Sequence, residues 1–207
     1  VVRLKRGSNI FFFNEHGEWK SEIIFLDRNR VEVKFQKKIK QSKKLNNIQL
    51  AVCLVKKNPL ETIFQKATEL GVNKIIPLIS ERTEVKDINY ERAKKIVIEA
   101  TEQSNQLIPP AISKVTKLKN FLESLDQSTK LLFADINSKN NLDIKDFKEV
   151  KSLCVLIGPE GDFTPKEREI ILSKTNTIPF SLSNNILRAD TATISAISLI
   201  NFVLSDH

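Results

Sequence analysis

Two short stretches of this sequence hold residue types that could do chemistry. In the first, the apolar run Val155-Leu156-Ile157 ends in Gly158-Pro159-Glu160-Gly161-Asp162, an open and acidic turn. The chain has only five glycines, and Gly158 and Gly161 fall together here. In the second, Ser181-Leu182-Ser183-Asn184-Asn185-Ile186-Leu187-Arg188-Ala189-Asp190-Thr191-Ala192 leads into small residues, Ser195, Ala196 and Ser198. Phosphate binding is disfavoured. A phosphate loop needs G-x-x-x-x-G-K-[ST] and a dinucleotide fingerprint needs G-x-G-x-x-G, whereas the spacing here is G-x-x-G. Glu160 and Asp162 would also stand where phosphates lie, and like charges repel. The turn suits a ligand that is uncharged or positive at the contact, approached closely by glycine backbone. A tight strand-to-helix turn with no ligand would look the same locally.

Other chemistries have less to work with. The two histidines, His16 and His207, are far apart, and no Cys or His cluster has metal-ligand spacing, so no metal site is expected. Cys53 and Cys154 each sit inside an apolar run, the pattern of buried thiols in a reducing, cytoplasmic setting. No apolar run approaches the roughly 20 residues that span a bilayer, and no secretion leader opens the chain. The chain lacks methionine, so residues are expected to precede Val1. A net charge of +8 and 28% charged residues suit an anionic partner such as nucleic acid.

The elements that must position these stretches follow from periodicity. Asn9 to Phe13, Trp19 to Leu26 and Val31 to Phe35 alternate as strands separated by turn residues. Lys37 to Lys44 reads as a basic connector, either a solvated linker or a contact for a phosphate backbone. A domain boundary is placed near residue 45, dividing the chain into 1–45 and 46–207. Beyond it, buried strands are expected at Ile48 to Val55, Lys74 to Ile79, Lys130 to Ala134, Ser152 to Ile157 and Ile178 to Leu182. Helices are expected from Pro59 to the glycine stop at Gly71, over Tyr90 to Ser104, from the capping box Thr164-Pro165-Lys166-Glu167, and over Ala189 to Leu204. This alternation predicts an α/β fold, a parallel sheet with helices on both faces. Ligands of such sheets gather outside the carboxyl ends of the strands, where both chemical stretches fall.

The pair I-G-P-E-G and L-x-x-x-I-L-R-x-D-T-A resembles the ribosomal RNA small subunit methyltransferase E family, of the SPOUT class. Further matches are Phe64-Gln65-Lys66-Ala67-Thr68-Glu69-Leu70-Gly71-Val72, Pro77-Leu78-Ile79-Ser80-Glu81-Arg82 and Glu99-Ala100-Thr101-Glu102-Gln103-Ser104. The resemblance covers essentially the whole chain. It implies a C-terminal trefoil knot, a homodimer, S-adenosyl-L-methionine as cofactor, and an N-terminal PUA-like RNA-binding barrel, N-terminally incomplete. The implied reaction is methylation of N3 of one uridine in 16S rRNA of the small ribosomal subunit.

Carried over residue by residue, the resemblance assigns Ile157, Gly158, Pro159, Glu160 and Gly161 to one cofactor-binding loop. Leu182, Ser183, Asn184, Ile186, Leu187 and Thr191 form the other. Uracil N3–H is not acidic at neutral pH, so something must take its proton or stabilise the developing anion. Arg188 is the candidate stabiliser of a uracil oxygen, oriented by Asp190 or Glu160; a plain salt bridge to Asp190 is the alternative. Arg82 and Lys66 are candidate RNA contacts or ordinary surface charges. Glu102 and Gln103 either line the pocket or face solvent. The sequence departs from the family pattern at Ser183, Asn185 and Asp190, where Gly, Arg and Glu are usual. Asn105 and Gln106 stand close to where the family commonly has Arg.

Overall fold

The computed structural model describes residues 4–41, 47–142, 150 and 152–205, and the chain divides into two compact units, Val1–Lys44 and Leu45–His207. The first is an antiparallel meander of β1 (Asn9–Asn14), β2 (Gly17–Leu26) and β3 (Val31–Gln41). At the first turn the Asn14 side chain accepts from the His16 amide at 2.9 Å. Gly17 follows with φ +142°, where a Cβ would collide with the Lys40 carbonyl oxygen. Strand β3 runs six residues further than its apolar alternation suggested. Residues 37–41 are therefore paired strand and not connector, with Lys40 opposite Glu18 and Lys37 opposite Lys20. Local register shifts let the lysine-rich segment stay in the ladder. The rest of the expected connector, 42–44, lies outside the described residues.

The second unit runs β4 (Ile48–Cys53), α1 (Lys57–Glu69), β5 (Lys74–Ile79), α2 (Tyr90–Gln103), β6 (Ala111–Ile112), β7 (Thr116–Lys117), α3 (Leu118–Ser124), β8 (Thr129–Ala134), β9 (Ser152–Ile157), α4 (Pro165–Leu172), β10 (Thr177–Phe180) and α5 (Ala189–Ser205). The sheet order is β10-β8-β9-β4-β5-β6, with β7 also on β5, and every pair is parallel. Such a sheet is buried on both sides, and its side chains divide by the strand's period of two. Leu50, Val52, Leu132, Val155 and Ile157 point to the face covered by α1, α2 and α5, against Ile63, Phe64, Val97 and Ile197. Ala51, Cys53, Leu131, Phe133, Cys154 and Leu156 point to the other, against Phe121 and Leu122 of α3 and Ile171 of α4.

Boundaries shift for local reasons. Helix α1 begins at Lys57, ahead of Pro59, which sits in the first turn where it lacks no needed N–H. Gly71 closes it with φ +85°. The short elements β6, β7 and α3 carry too few residues to show a period. The expected crossover before β9 includes 143–149, which lie outside the described residues.

Candidate active site

The first chemical stretch leaves the end of β9 and is held from behind. Asp162 takes φ +58°, and its N–H donates to the Pro159 carbonyl at 2.9 Å, closing the turn. Internal packing is close at Gly158: a Cβ there would lie 3.1 Å from the ring of Phe163, which would have to give by a few tenths of an ångström. Phe163 is buried edge-on against Phe133, with ring centroids 5.6 Å apart. At Gly161 a Cβ would make only ordinary contact with Arg82. The loop is instead tied down by Arg82, whose Nη1 donates to the Gly161 carbonyl at 2.8 Å.

Glu167 completes the frame. The capping box forms as its sequence predicts, with the Thr164 hydroxyl accepting from the Glu167 N–H at 3.3 Å and Glu167 Oε2 accepting from the Thr164 N–H at 3.0 Å. Its other oxygen, Oε1, accepts from the Glu81 N–H at 2.8 Å, so one buried carboxylate joins the loop after β5 to the start of α4.

The second stretch leaves β10. The Asp135 amide donates to the Phe180 carbonyl at 3.0 Å and the Ser181 amide to Asn140 at 2.8 Å. Ser183, one of the departures from the family pattern, spends its hydroxyl inside the turn, accepting from the Asn185 amide at 3.0 Å. Arg188 then caps α5 with its carbonyl, which accepts from the Ala192 amide at 2.8 Å.

Between the two stretches lies a cavity of about 420 Å³ at the carboxyl ends of the adjacent strands β8, β9 and β10. Ile157, Gly158, Pro159, Glu160 and Gly161 line one side, and Leu182, Ser183, Ile186 and Leu187 the other. Ala134, Asp135 and Ile136 form the floor from β8. Asn184 and Thr191 are outside the lining, as are Arg188 and Asp190, although Leu187 and Ala189 on either side of Arg188 belong to it. Among the described residues, no ion pair joins Arg188 to Asp190 or Glu160. The Asp190 carboxylate accepts instead from its neighbour's amide, Thr191 N–H, at 2.9 Å. Arg82 lines the cavity. Lys66 is engaged with Glu69 at 2.8 Å, and Glu102 and Gln103 line a separate groove between α1 and α2. They do not reach the site.

Asp135 and Arg168 are functional candidates that sequence patterns did not single out. The Asp135 carboxylate is buried and accepts from Arg168 Nη2 at 2.7 Å and Nε at 3.0 Å. The hydrogen bond to Asp135 raises the Arg168 pKa above its ordinary value. Pairing is what permits a carboxylate at the floor of the cavity. The available signal was a lone Asp following the apolar run Lys130 to Ala134. With Asp135 neutralised, the remaining charged lining is Glu160, Asp162 and Arg82, the last already committed to Gly161. Apolar walls, exposed backbone and two acidic side chains suit a cationic organic ligand better than a phosphate.

Residues 41–201 match the RNA methyltransferase domain family. A ribosomal RNA small subunit methyltransferase E from Rickettsia conorii is 36% identical over 211 residues, covering 100% of this chain and 85% of the relative. The chain belongs to the ribosomal RNA small subunit methyltransferase E family. A Bacillus subtilis member is 29% identical over 217 residues, with 98% of this chain and 84% of the relative covered. Among solved structures, the Neisseria gonorrhoeae ribosomal RNA small subunit methyltransferase E bound to S-adenosyl methionine aligns with a TM-score of 0.87 at 26% identity. That alignment covers 97% of this chain and 85% of the neighbour. The alignment thus takes in residues of both units.

Proposed function

We propose that this chain transfers a methyl group from S-adenosyl-L-methionine to N3 of a uridine in 16S rRNA of the small ribosomal subunit. The observation that carries the reading is the cavity at the ends of β8, β9 and β10, acidic and apolar, in a chain of this family. The cofactor supplies an activated methyl group on a positively charged sulfur. Glu160 and Asp162 are the side chains that would favour that charge, while Gly158, Pro159, Leu182, Ile186 and Leu187 would enclose the apolar parts. Asn184 and Thr191 would join them only from outside the present lining.

Acceptor nitrogen, methyl carbon and sulfur must lie in line, with the attack distance about 3–3.5 Å. The N3 proton must leave as the new N–C bond forms. Arg188 stays protonated, so its role is to stabilise negative charge on a uracil oxygen. Its guanidinium makes no hydrogen bond or ion pair among the described residues, and its chain neighbours Leu187 and Ala189 line the cavity. Glu160, exposed on the lining, is the carboxylate placed to accept the proton or orient the base. Asp190, spent on its own helix start, has the lesser part. Arg82 holds the loop, and its RNA contact is secondary.

Three further parts belong to the reading. Helix α5 buries Ala196, Ile197 and Ile200 yet leaves Leu199 37% and Phe202 64% exposed, and Ile186 nearby in sequence is 86% exposed. An apolar helix stripe of this kind suits a homodimer that completes the site. The chain after β9 is proposed to thread the family's trefoil knot, and the first unit to be part of a PUA-like RNA-binding barrel. With ribosomal RNA as substrate, the protein would work in the cytoplasm; no helix among the described residues is long and apolar enough to cross a membrane.

Calorimetry with S-adenosylmethionine, followed by mass mapping of 16S rRNA nucleosides from cells with and without the protein, tests the reading. The expected result is binding, and a 3-methyluridine present only when the protein is. Binding with a methyl group found on another atom or another RNA would overturn the target, and absence of binding would overturn the reaction.

A further inference from the structure

A second, smaller cavity of about 260 Å³ backs onto the first. The two share Arg82, Pro159, Glu160 and Gly161, so one stretch of the loop after β9 is a wall of both. The rest of the smaller cavity comes from residues that leave β4 and β5. Leu54 and Val55, at most 3% exposed, give it an apolar side, and Lys56, Glu84 and Val85 complete it.

This frame is held by the protein itself. The Leu54 amide donates to the Leu78 carbonyl at 2.9 Å, which carries β4 on past Cys53. Thr83 is buried, and its hydroxyl accepts from the Ser80 amide at 2.9 Å, fixing the turn that carries Arg82 and Glu84 on either side of it. The charged groups on the lining are not used up in the same way. Lys56 is the N-cap of α1, yet its side chain makes no capping bond. Among the described residues, the Lys56 ammonium and the Glu84 and Glu160 carboxylates have no hydrogen bond or ion pair, with each other or elsewhere. The lining sets two cations, Lys56 and Arg82, against two carboxylates, Glu84 and Glu160. That balance disfavours a phosphate and suits a neutral polar ligand that needs donors and acceptors together.

We infer that this cavity receives the acceptor base, a uracil turned out of its stack, with Lys56 donating to a ring carbonyl and Glu160 accepting from N3–H. The pairing edge of uracil runs carbonyl, N3–H, carbonyl, so it needs cations and a carboxylate side by side. Cytosine offers a lone pair at N3 where uracil offers a proton, and a carboxylate there repels it. The volume lies below the about 300–1,000 Å³ of sites for drug-sized ligands and suits a single base, the form in which enzymes read a nucleotide they modify. The shared wall brings the base edge next to the cofactor cavity, as in-line transfer requires. This inference rests on the proposed uridine substrate; it adds where the base sits and that Lys56 selects it.

The test pairs two measurements on the whole chain. In the first, amide NMR shifts are followed as uridine or cytidine is added with S-adenosylhomocysteine present in excess; nucleosides carry no phosphate, so Lys56 cannot act as a plain phosphate contact. Uridine is expected to move the amides of Val55, Lys56, Glu84 and Val85, and cytidine to bind about tenfold more weakly, the cost of one mismatched polar contact. In the second, Lys56→Gln is expected to lower kcat/KM for 30S subunits about tenfold with the S-adenosylmethionine Kd unchanged. Lys57→Gln, its exposed neighbour outside this lining, is expected to keep the parental value. If uridine leaves these amides unmoved, if it moves them no more than cytidine does, or if Lys56→Gln keeps the parental kcat/KM, the cavity is not the acceptor site; 3-methyluridine formed by the parent would still leave the methyltransferase reading standing. If uridine binds here as expected but the parent forms no 3-methyluridine in 16S rRNA, the cavity stands as a uracil site and the methyltransferase reading fails.

Discussion

Arg82 reaches from the loop after β5 to the Gly161 carbonyl, 2.8 Å away, and so braces the wall of the cavity with a residue far from it in sequence. The contact is solvent-exposed, which limits its strength. Arg82→Ala is expected to weaken S-adenosylmethionine binding about threefold to tenfold, the range for losing one charge-assisted hydrogen bond near the surface. Titration calorimetry on parent and variant measures this directly, and an unchanged Kd would remove Arg82 from the site's support.

Gly158 and Phe163 form a second such pair. A methyl group at 158 would press on the Phe163 ring at 3.1 Å, so Gly158→Ala is expected to cost about 1–3 kcal/mol, the usual penalty for overpacking. Trimming the ring should return part of the loss: in urea melts, Gly158→Ala combined with Phe163→Leu should be less destabilised than the two single losses added together. Strict additivity would mean that Gly158 serves something other than this packing.

Arg188 stands outside the cavity lining and is expected to act on the transition state rather than on cofactor binding. Arg188→Ala should lower the rate of methyl transfer to 30S subunits about 100-fold or more, as loss of an electrostatic stabiliser does. Its S-adenosylmethionine affinity should match the parent. A variant that methylates at the parental rate, or that loses cofactor affinity in proportion to rate, would refute this role.

Alkaline pH probes the two buried thiols. Burial pushes both Cys53 and Cys154 up from 9.0 to about 12. A folded pKa above the unfolded one gives stability that is complete below pH 9 and drains away as pH rises toward 12. Urea midpoints should therefore fall across that window, and fall less in a Cys53→Ala, Cys154→Ala variant. Both thiols should also resist alkylation at pH 8 until the protein unfolds. Rapid labelling of the native chain at that pH would contradict their burial.

Much of the catalytic unit was legible because its signals are local. The period-two runs of β4, β5, β8 and β9, the helical stripes of α1 and α2, and the capping box from Thr164 to Glu167 all declare themselves within a few residues. So does the placement of both chemical stretches after strands. The short β6, β7 and α3 escaped because two to seven residues cannot show a period. Beyond Phe35, strand β3 shows no alternation because its bulges against β2 break the period of two that defines a strand.

The sequence by itself determined the α/β alternation, the family and the two loops that meet, since these depend on neighbours a turn or a strand apart. Tertiary structure alone decided which groups those loops lean on. Asp135 is neutralised by Arg168, 33 positions away; Gly161 is held by Arg82, 79 away; and Glu167 receives the amide of Glu81, 86 away. Charges and hydrogen-bond donors carry no periodicity that names a distant partner, so only the folded chain can pair them.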